Sequence, residues 1–224
     1  MRRYTAILFD LDGTLIDSSE DLVQSVLHGF EAIGLPPPER GTIVRNVGKP
    51  LIDFPALLGY DLTDRQRQEF TRYYRAYYAV HCGDHTEPFP GVRETLEVLR
   101  EEGLKMAVVT TKSQDQAEGA VRTIGLARYF DLVRGWSPGQ KMKPDPEPVC
   151  ETLKQLGESS DKALVVGDSE QDILAAQAGG TDCCACLYGY RDPDFMRSLK
   201  PTYVITAFPE VRAIALSEAK PALA

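Results

Sequence analysis

From Pro88 onward, short apolar runs alternate with segments whose apolar residues recur at helical spacing. The apolar runs span residues 104–109, 130–134, 163–166, 183–187 and 203–205, and the helical patterns span residues 92–100, 114–124, 146–156 and 171–178. Repeated alternation of this kind predicts parallel strands joined by helices. Another apolar run, Ala6–Phe9, has the composition of a buried strand and must join the same sheet. We therefore predict an α/β fold, a Rossmann-like parallel sheet with helices on both faces.

The segment between the first strand and Pro88 has a different character. Its apolar residues recur at helical spacing, and no strand-like alternation is present from Ser18 to Val80. This pattern predicts an all-helical domain of residues 16–85, inserted into an α/β core of residues 1–15 and 86–224. Because such a domain has two connections to the core, we expect a lid that hinges at them.

Charge and cysteine usage restrict the class of partner. The net charge is −8 and no basic run is present, which argues against nucleic acid or an anionic membrane as the main partner. The cysteines are odd in number, and three of the five, Cys183, Cys184 and Cys186, lie together, which is a poor disulfide framework. Zinc is disfavoured because neighbours on a strand face opposite ways. We expect a reduced, cytoplasmic protein without a signal peptide or membrane span, either a monomer or a homodimer.

The first apolar run ends in two carboxylates. Asp10 and Asp12 are separated by one residue, so in an extended chain they point to the same side and can converge on one cation. Gly13 then permits a sharp turn. Because buried carboxylates are costly unless paired or bound to metal, this pair marks a candidate site.

Other strand ends carry further polar groups. Thr110 and Thr111 follow one strand, Asp168 follows another with Asp172 one helical turn later, and Lys143 lies in a proline-rich loop between them. Each has an ordinary alternative: a helix cap for Thr110, an acidic helix start for Asp168 and Asp172, and a solvated loop lysine for Lys143. Together, at the ends of one parallel sheet, they predict a hard-cation site and an anion site in one crevice.

These residues resemble, in order, the four motifs of the haloacid dehalogenase superfamily, and the resemblance covers essentially the whole chain. The motifs are Asp10-Leu11-Asp12-Gly13-Thr14, Thr110, Lys143 and Gly167-Asp168-Ser169-Glu170-Gln171-Asp172. The helical insert is similar to that superfamily's small cap. Within the superfamily, Val109–Lys112, Lys143–Pro146 and Tyr188–Tyr190 are similar to the phosphoglycolate phosphatase group. Thr110–Lys112 and Lys143–Pro148 also resemble a related inorganic pyrophosphatase.

The resemblance implies a role for each acidic residue. It implies that Asp10 is a nucleophile that forms an aspartyl-phosphate, and that Asp12 is the general acid and base. It implies that Mg²⁺ is held by the Asp10 carboxylate, the Asp12 backbone carbonyl and Asp168. Asp172 is implied to orient Lys143 or a metal-bound water.

The resemblance also assigns the phosphate contacts and the substrate loop. Thr110, the backbone near Thr111, and Lys143 are implied to bind phosphoryl oxygens, with Lys141 a weaker candidate for the lysine. In the cap, the segment from Arg45 through Gly48 and Lys49 to Leu51 is similar to the family's substrate loop, so Arg45 or Lys49 is a candidate contact for a substrate anion.

The expected function is therefore a Mg²⁺-dependent phosphatase acting on a small phosphorylated metabolite such as 2-phosphoglycolate. Inorganic pyrophosphatase activity on the same scaffold is the alternative. A sugar phosphomutase and a phosphonatase that uses Lys49 as a Schiff-base lysine remain open. A phosphorylatable receiver domain also collects carboxylates, a threonine and a lysine, but it lacks a long insert after the first strand.

Overall fold

The computed structural model describes residues 3–218. In that part of the chain the strands are β1 (Ala6–Phe9), β2 (Ile16–Asp17), β3 (Glu87–Pro88), β4 (Lys105–Ser113), β5 (Leu132–Trp136), β6 (Ala163–Gly167), β7 (Asp182–Cys186) and β8 (Tyr203–Ile205). Six of them form one sheet in the order β5-β4-β1-β6-β7-β8, and every pair is parallel. β2 and β3 pair separately.

The helices are α1 (Ser19–Ala32), α2 (Arg40–Arg45), α3 (Phe54–Leu57), α4 (Asp64–His81), α5 (Val92–Glu101), α6 (Gln114–Thr123), α7 (Glu147–Leu156), α8 (Glu170–Ala178), α9 (Pro193–Ser198) and α10 (Glu210–Ala215). Short 3-10 turns lie at Leu51–Asp53, Ala127–Tyr129 and Ser160–Lys162. The predicted fold class, a parallel sheet flanked by helices with a helical insert, is confirmed. No described helix combines the length and the apolar character that crossing a membrane requires.

Both faces of the sheet are buried, and β1 shows why a continuous apolar run is needed there. Ile7 and Phe9 belong to the hydrophobic cluster on one face, whereas Ala6 and Leu8 belong to the cluster on the other, and all four are fully buried. The same alternation places Cys183 on one face and Cys184 on the opposite one. Strands covered by helices on both sides require apolar residues at successive positions.

The two-residue strands β2 and β3 were not predicted, and two further differences from the predicted elements have a clear physical reason. β4 continues to Ser113 instead of ending at residue 109, because Ser113 pairs with Trp136 after an irregularity in register. The short helices α9 and α10 were not predicted. Each has only six residues, which is too few for a periodic apolar pattern to be recognised.

The chain forms two compact units: one comprises the described residues up to Ile16 and from Pro88 onward, and the other is Asp17–Glu87. In the helical unit, Phe30 of α1 meets Phe70 of α4 with ring centroids 5.1 Å apart. Tyr74 and Tyr78 of α4 are also buried, so the tyrosine-rich helix contributes to the core of this unit. Thr63 begins α4 with a capping box formed with Gln66.

Candidate active site

The strand order brings the predicted residues to one edge of the sheet. β1 lies between β4 and β6, and Phe9 is in register with Val108 and Val166. β1 and β6 therefore end at nearly the same level, and the residue that follows Val109 in β4 lies beside those ends, which places Asp10, Thr110 and Asp168 on three neighbouring strands at one edge of the sheet. The edge of an open α/β sheet at which the strand order reverses is where such folds bind ligands.

Lys143 is the centre of a buried ionic cluster at this edge. Its Nζ donates to Asp10 Oδ1 at 2.8 Å, to the carbonyl oxygen of Val109 at 2.6 Å and to Asp172 Oδ1. The Lys143 side chain is 3% exposed and that of Asp172 is fully buried. All three protons of the ammonium group are thus used within the protein. Lys141, the weaker candidate, instead pairs with Asp145 at the surface and is 61% exposed.

Asp172 is held from both of its oxygens. Its Oδ2 accepts from the backbone N–H of Ser169 at 3.1 Å and from the Ser169 hydroxyl at the start of α8, while its Oδ1 accepts from Lys143. Gly167 makes room for this side chain, because a Cβ at Gly167 would lie 2.3 Å from the Asp172 Cβ. Asp172 therefore has two roles: it is an acidic residue in the first turn of α8, and it is a hydrogen-bond partner of Lys143.

Asp168 is confined by two glycines. Its Oδ1 accepts from the Thr14 hydroxyl at 3.0 Å, and its Oδ2 accepts from the backbone N–H of Tyr190 at 2.8 Å. A Cβ at Gly189 would lie 2.2 Å from the Asp168 Cβ, and one at Gly13 would lie 2.3 Å from Asp168 Oδ2. Gly13 also has φ +84°, which favours glycine.

The site combines three buried carboxyl groups with one buried ammonium group. Burial raises the pKa of Asp10 to about 8 and that of Asp168 to about 7. Burial alone lowers the pKa of Lys143, but the adjacent Asp10 and Asp172 carboxylates outweigh this and raise it. The ammonium group therefore stays charged among three carboxylates.

A divalent cation fits this chemistry. One oxygen from each of Asp10, Asp168 and Asp172 lies within 4.8 Å of the other two. Carboxylate oxygens are the ligands that hard cations prefer, and a cation relieves the cost of burying unpaired negative charge. The cluster includes the predicted ligands Asp10 and Asp168. The Asp12 carboxylate is not part of this group of three. The predicted metal ligand of Asp12 is its backbone carbonyl and not its carboxylate, so that prediction stays a prediction.

The Asp12 side chain has a cationic partner of its own. Lys112 Nζ lies 3.2 Å from Asp12 Oδ2, and the two side chains are 6% and 10% exposed. Thr110 is buried, and its hydroxyl accepts from the backbone N–H of Lys112 at 3.3 Å. Thr111 lies beside them and is partly buried. Thr110 is not the cap of α6, since it lies within β4 and the helix begins at Gln114.

Comparison with known proteins establishes the family. A family model described as haloacid dehalogenase-like hydrolase matches residues 7–186. This chain belongs to the haloacid dehalogenase-like hydrolases. The pyrophosphatase PpaX of Halalkalibacterium halodurans is 33% identical over 92% of this chain and 94% of its own length. The phosphoglycolate phosphatase of Aquifex aeolicus is 36% identical over 86% of this chain and 91% of its own.

Solved structures of this hydrolase family share the whole fold. The crystal structure of a predicted phosphoglycolate phosphatase from Haemophilus somnus superposes with a TM-score of 0.87, at 28% identity, over 96% of this chain and 99% of that one. A haloacid dehalogenase-like hydrolase from Streptococcus pneumoniae gives a TM-score of 0.85 at 28% identity, over 95% and 98% of the two chains.

The predicted substrate-loop residues of the hydrolase lie in the helical unit. Arg45 donates to the Thr42 hydroxyl at 2.7 Å and pairs with Glu39 at 3.3 Å, and its side chain is 64% exposed. Gly48 has φ +91°, and Lys49 is partly buried. Their role in substrate contact stays a prediction.

Sequence reasoning missed Lys112 as a site residue. Its position directly after Thr110 and Thr111, at the end of a strand, was the available signal. Sequence reasoning likewise gave Gly189 no role of its own, although it is one of the two glycines that leave room for Asp168.

Proposed function

We propose that this hydrolase is a Mg²⁺-dependent phosphatase that cleaves a small phosphomonoester through an aspartyl-phosphate intermediate. The buried cluster of Asp10, Asp168, Asp172 and Lys143 at the carboxyl edge of the sheet carries the proposal. It combines a nucleophile, a cation site and a fixed positive charge, which are the groups that phosphoryl transfer requires.

In the first half of the proposed reaction, an Asp10 carboxylate oxygen attacks phosphorus and the phosphorus–oxygen bond to the leaving group breaks. Asp12 gives a proton to the leaving oxygen, which departs as an alcohol. In the second half, Asp12 takes a proton from water as the water oxygen attacks phosphorus. The acyl-phosphate bond then breaks, which releases phosphate and restores Asp10.

Lys143 and Thr110 would stabilise the charge on the phosphoryl oxygens. Because Lys143 donates to Asp10 in the structure, its ammonium group also orients the nucleophile. Asp172 keeps Lys143 in place, since it accepts from both Lys143 and Ser169. Asp172 is therefore proposed to act through Lys143.

Mg²⁺ would be held by the carboxylates of Asp10 and Asp168 and the backbone carbonyl of Asp12. When bound, it would offset the negative charges of the carboxylates and the phosphate, which otherwise repel each other.

We assign 2-phosphoglycolate as the first candidate substrate, supported by the Aquifex relative and by the structural likeness to the Haemophilus protein. Inorganic pyrophosphate is the second candidate, because the Halalkalibacterium relative matches this chain over nearly its full length. In either case the helical unit is proposed to act as a cap, with Arg45, Gly48 and Lys49 in its substrate loop. A reduced, cytoplasmic setting stays a prediction; all five cysteines are free in the structure.

The test is phosphate release from 2-phosphoglycolate and from pyrophosphate, each with Mg²⁺ and with a chelator. We expect Mg²⁺-dependent turnover that the Asp10→Asn variant abolishes and that the control Asp115→Asn, at an exposed position in the first turn of α6, retains. Acid-quenched wild-type enzyme should carry a phosphoryl group that the Asp10→Asn variant lacks. Unchanged turnover in Asp10→Asn would refute the mechanism.

A further inference from the structure

The ion pair between Lys112 and Asp12 lies outside the cluster around Lys143. Its two charged atoms are 3.2 Å apart, and both side chains are at least nine-tenths buried. A lysine side chain loses both hydration and rotamer freedom in such a position, so its placement requires support from the surrounding structure.

The backbone around Lys112 supplies that support. The Lys112 N–H donates to the Thr110 hydroxyl, and a Cβ at Gly135 would lie 2.8 Å from the Lys112 carbonyl oxygen, so β5 packs directly against this segment. Gln114 Oε1 also accepts from the Gly135 N–H at 2.7 Å. Lys112 therefore projects from a restrained stretch of β4 and not from a mobile loop.

The position of Lys112 beside Asp12 indicates which part of the substrate the lysine would contact. In the proposed mechanism Asp12 gives its proton to the leaving-group oxygen, whereas Lys143 and Thr110 serve the transferred phosphoryl group. An ammonium group beside Asp12 thus lies on the leaving-group side of the reacting phosphorus. A negative charge only a few covalent bonds from the leaving oxygen would be within reach of that ammonium group.

We propose that Lys112 is a specificity-determining residue that selects phosphates whose leaving group carries its own anion. The proposal rests on the proposed function and narrows its substrate class. The carboxylate of 2-phosphoglycolate and the leaving phosphate of pyrophosphate both provide such an anion close to the bridging oxygen. The same lysine could therefore bind either substrate, because its ammonium group is a point charge that attracts a carboxylate and a phosphate alike.

The competing explanation is that Lys112 only orients Asp12. The two roles differ in their dependence on substrate. A residue that orients the general acid affects every phosphomonoester with a similar leaving alcohol, whereas a residue that binds the leaving-group anion affects only substrates that carry it.

The experiment compares 2-phosphoglycolate with ethyl phosphate, which has the same alkyl ester linkage but no carboxylate. We expect wild-type enzyme with Mg²⁺ to prefer 2-phosphoglycolate in kcat/KM, and Lys112→Met to lose about 10- to 100-fold of that preference, the range for a charge-assisted contact. Lys112→Arg should keep most of the preference because it keeps the charge. Lys105→Met, at the opposite end of β4 and partly exposed, is the matched control and should leave both rates unchanged.

Equal losses for both substrates in Lys112→Met would overturn the assignment and leave Lys112 as a positioning residue for Asp12. A wild-type enzyme without preference between the two substrates would overturn it as well. Turnover of neither of these substrates nor of pyrophosphate by wild-type enzyme would instead refute the proposed function itself. Lys112→Gln provides a second neutral variant in case Lys112→Met does not fold, as judged by circular dichroism.

Discussion

Removing the buried ammonium group of Lys143 is the sharpest test of the ionic cluster. In Lys143→Met, Asp10 and Asp172 lose their common partner, and the Val109 carbonyl loses a donor. Because the Asp172 side chain is fully buried and that of Asp10 is 11% exposed, water cannot fully replace the lost contacts. We expect phosphatase activity to disappear and the free energy of unfolding to fall.

The size of the loss follows from the geometry. Breaking a buried ion pair by removing one partner costs about 3–5 kcal/mol, and Lys143 has two carboxylate partners, so the upper part of that range is expected. The loss depends on pH, because Lys143 lowers the pKa of Asp10, and its removal raises that pKa beyond the wild-type value of about 8, which is already far above the ordinary 3.8 of the unfolded chain. Stability contributed by the neutral carboxyl therefore declines as pH rises from about 4 towards about 8. Lys143→Met should be most destabilised above that range.

The assay is urea denaturation of metal-free protein at several pH values, together with phosphate release in Mg²⁺. Lys141→Met is the matched control, since Lys141 lies two residues away but is exposed and pairs only with Asp145 at 3.0 Å. It should unfold like the wild type and remain active. Equal stability of the two variants would show that the ionic cluster around Lys143 does not stabilise the fold, and full activity of Lys143→Met would show that the reaction does not need the cluster.

Three further outcomes are expected. Gly189→Ala should reduce Mg²⁺ affinity and activity and lower the free energy of unfolding by about 1–3 kcal/mol, because the new Cβ would lie 2.2 Å from the Asp168 Cβ. The control is Gly119→Ala in α6, where a Cβ meets nothing within 4 Å, and wild-type Mg²⁺ binding by Gly189→Ala in calorimetry would contradict the packing argument. Mg²⁺ affinity should rise with pH and level off above about 8, because below that value protons compete for Asp10 and Asp168; equal affinity well below 7 and above 8 would argue against these ligands. Thr63→Ala should lower the stability of the helical unit by about 1 kcal/mol through loss of the α4 capping box, and an unchanged melting temperature would contradict this.

The sequence by itself determined the architecture of the core and the position of its reactive edge. Short apolar runs that alternate with helical patterns specify a parallel sheet, because both faces of each strand must be buried. Asp10 directly follows one of those runs and Asp168 follows another after a single glycine, so their placement at the carboxyl edge required no tertiary information. The strand order then made them neighbours, since β1 lies between β4 and β6.

Only the tertiary structure decided which charged groups meet. The sequence offered Lys141 and Lys143 in one loop and Lys112 on another segment, yet Lys143 pairs with Asp10, Lys112 with Asp12 and Lys141 with a neighbour at the surface. Local patterns report whether a residue lies on a strand, a helix or a loop, but a contact between side chains far apart in sequence depends on strand register, backbone approach and rotamer. The role of Gly189 could not be predicted from the sequence for the same reason, because its lack of a side chain matters only once the fold places Asp168 against it.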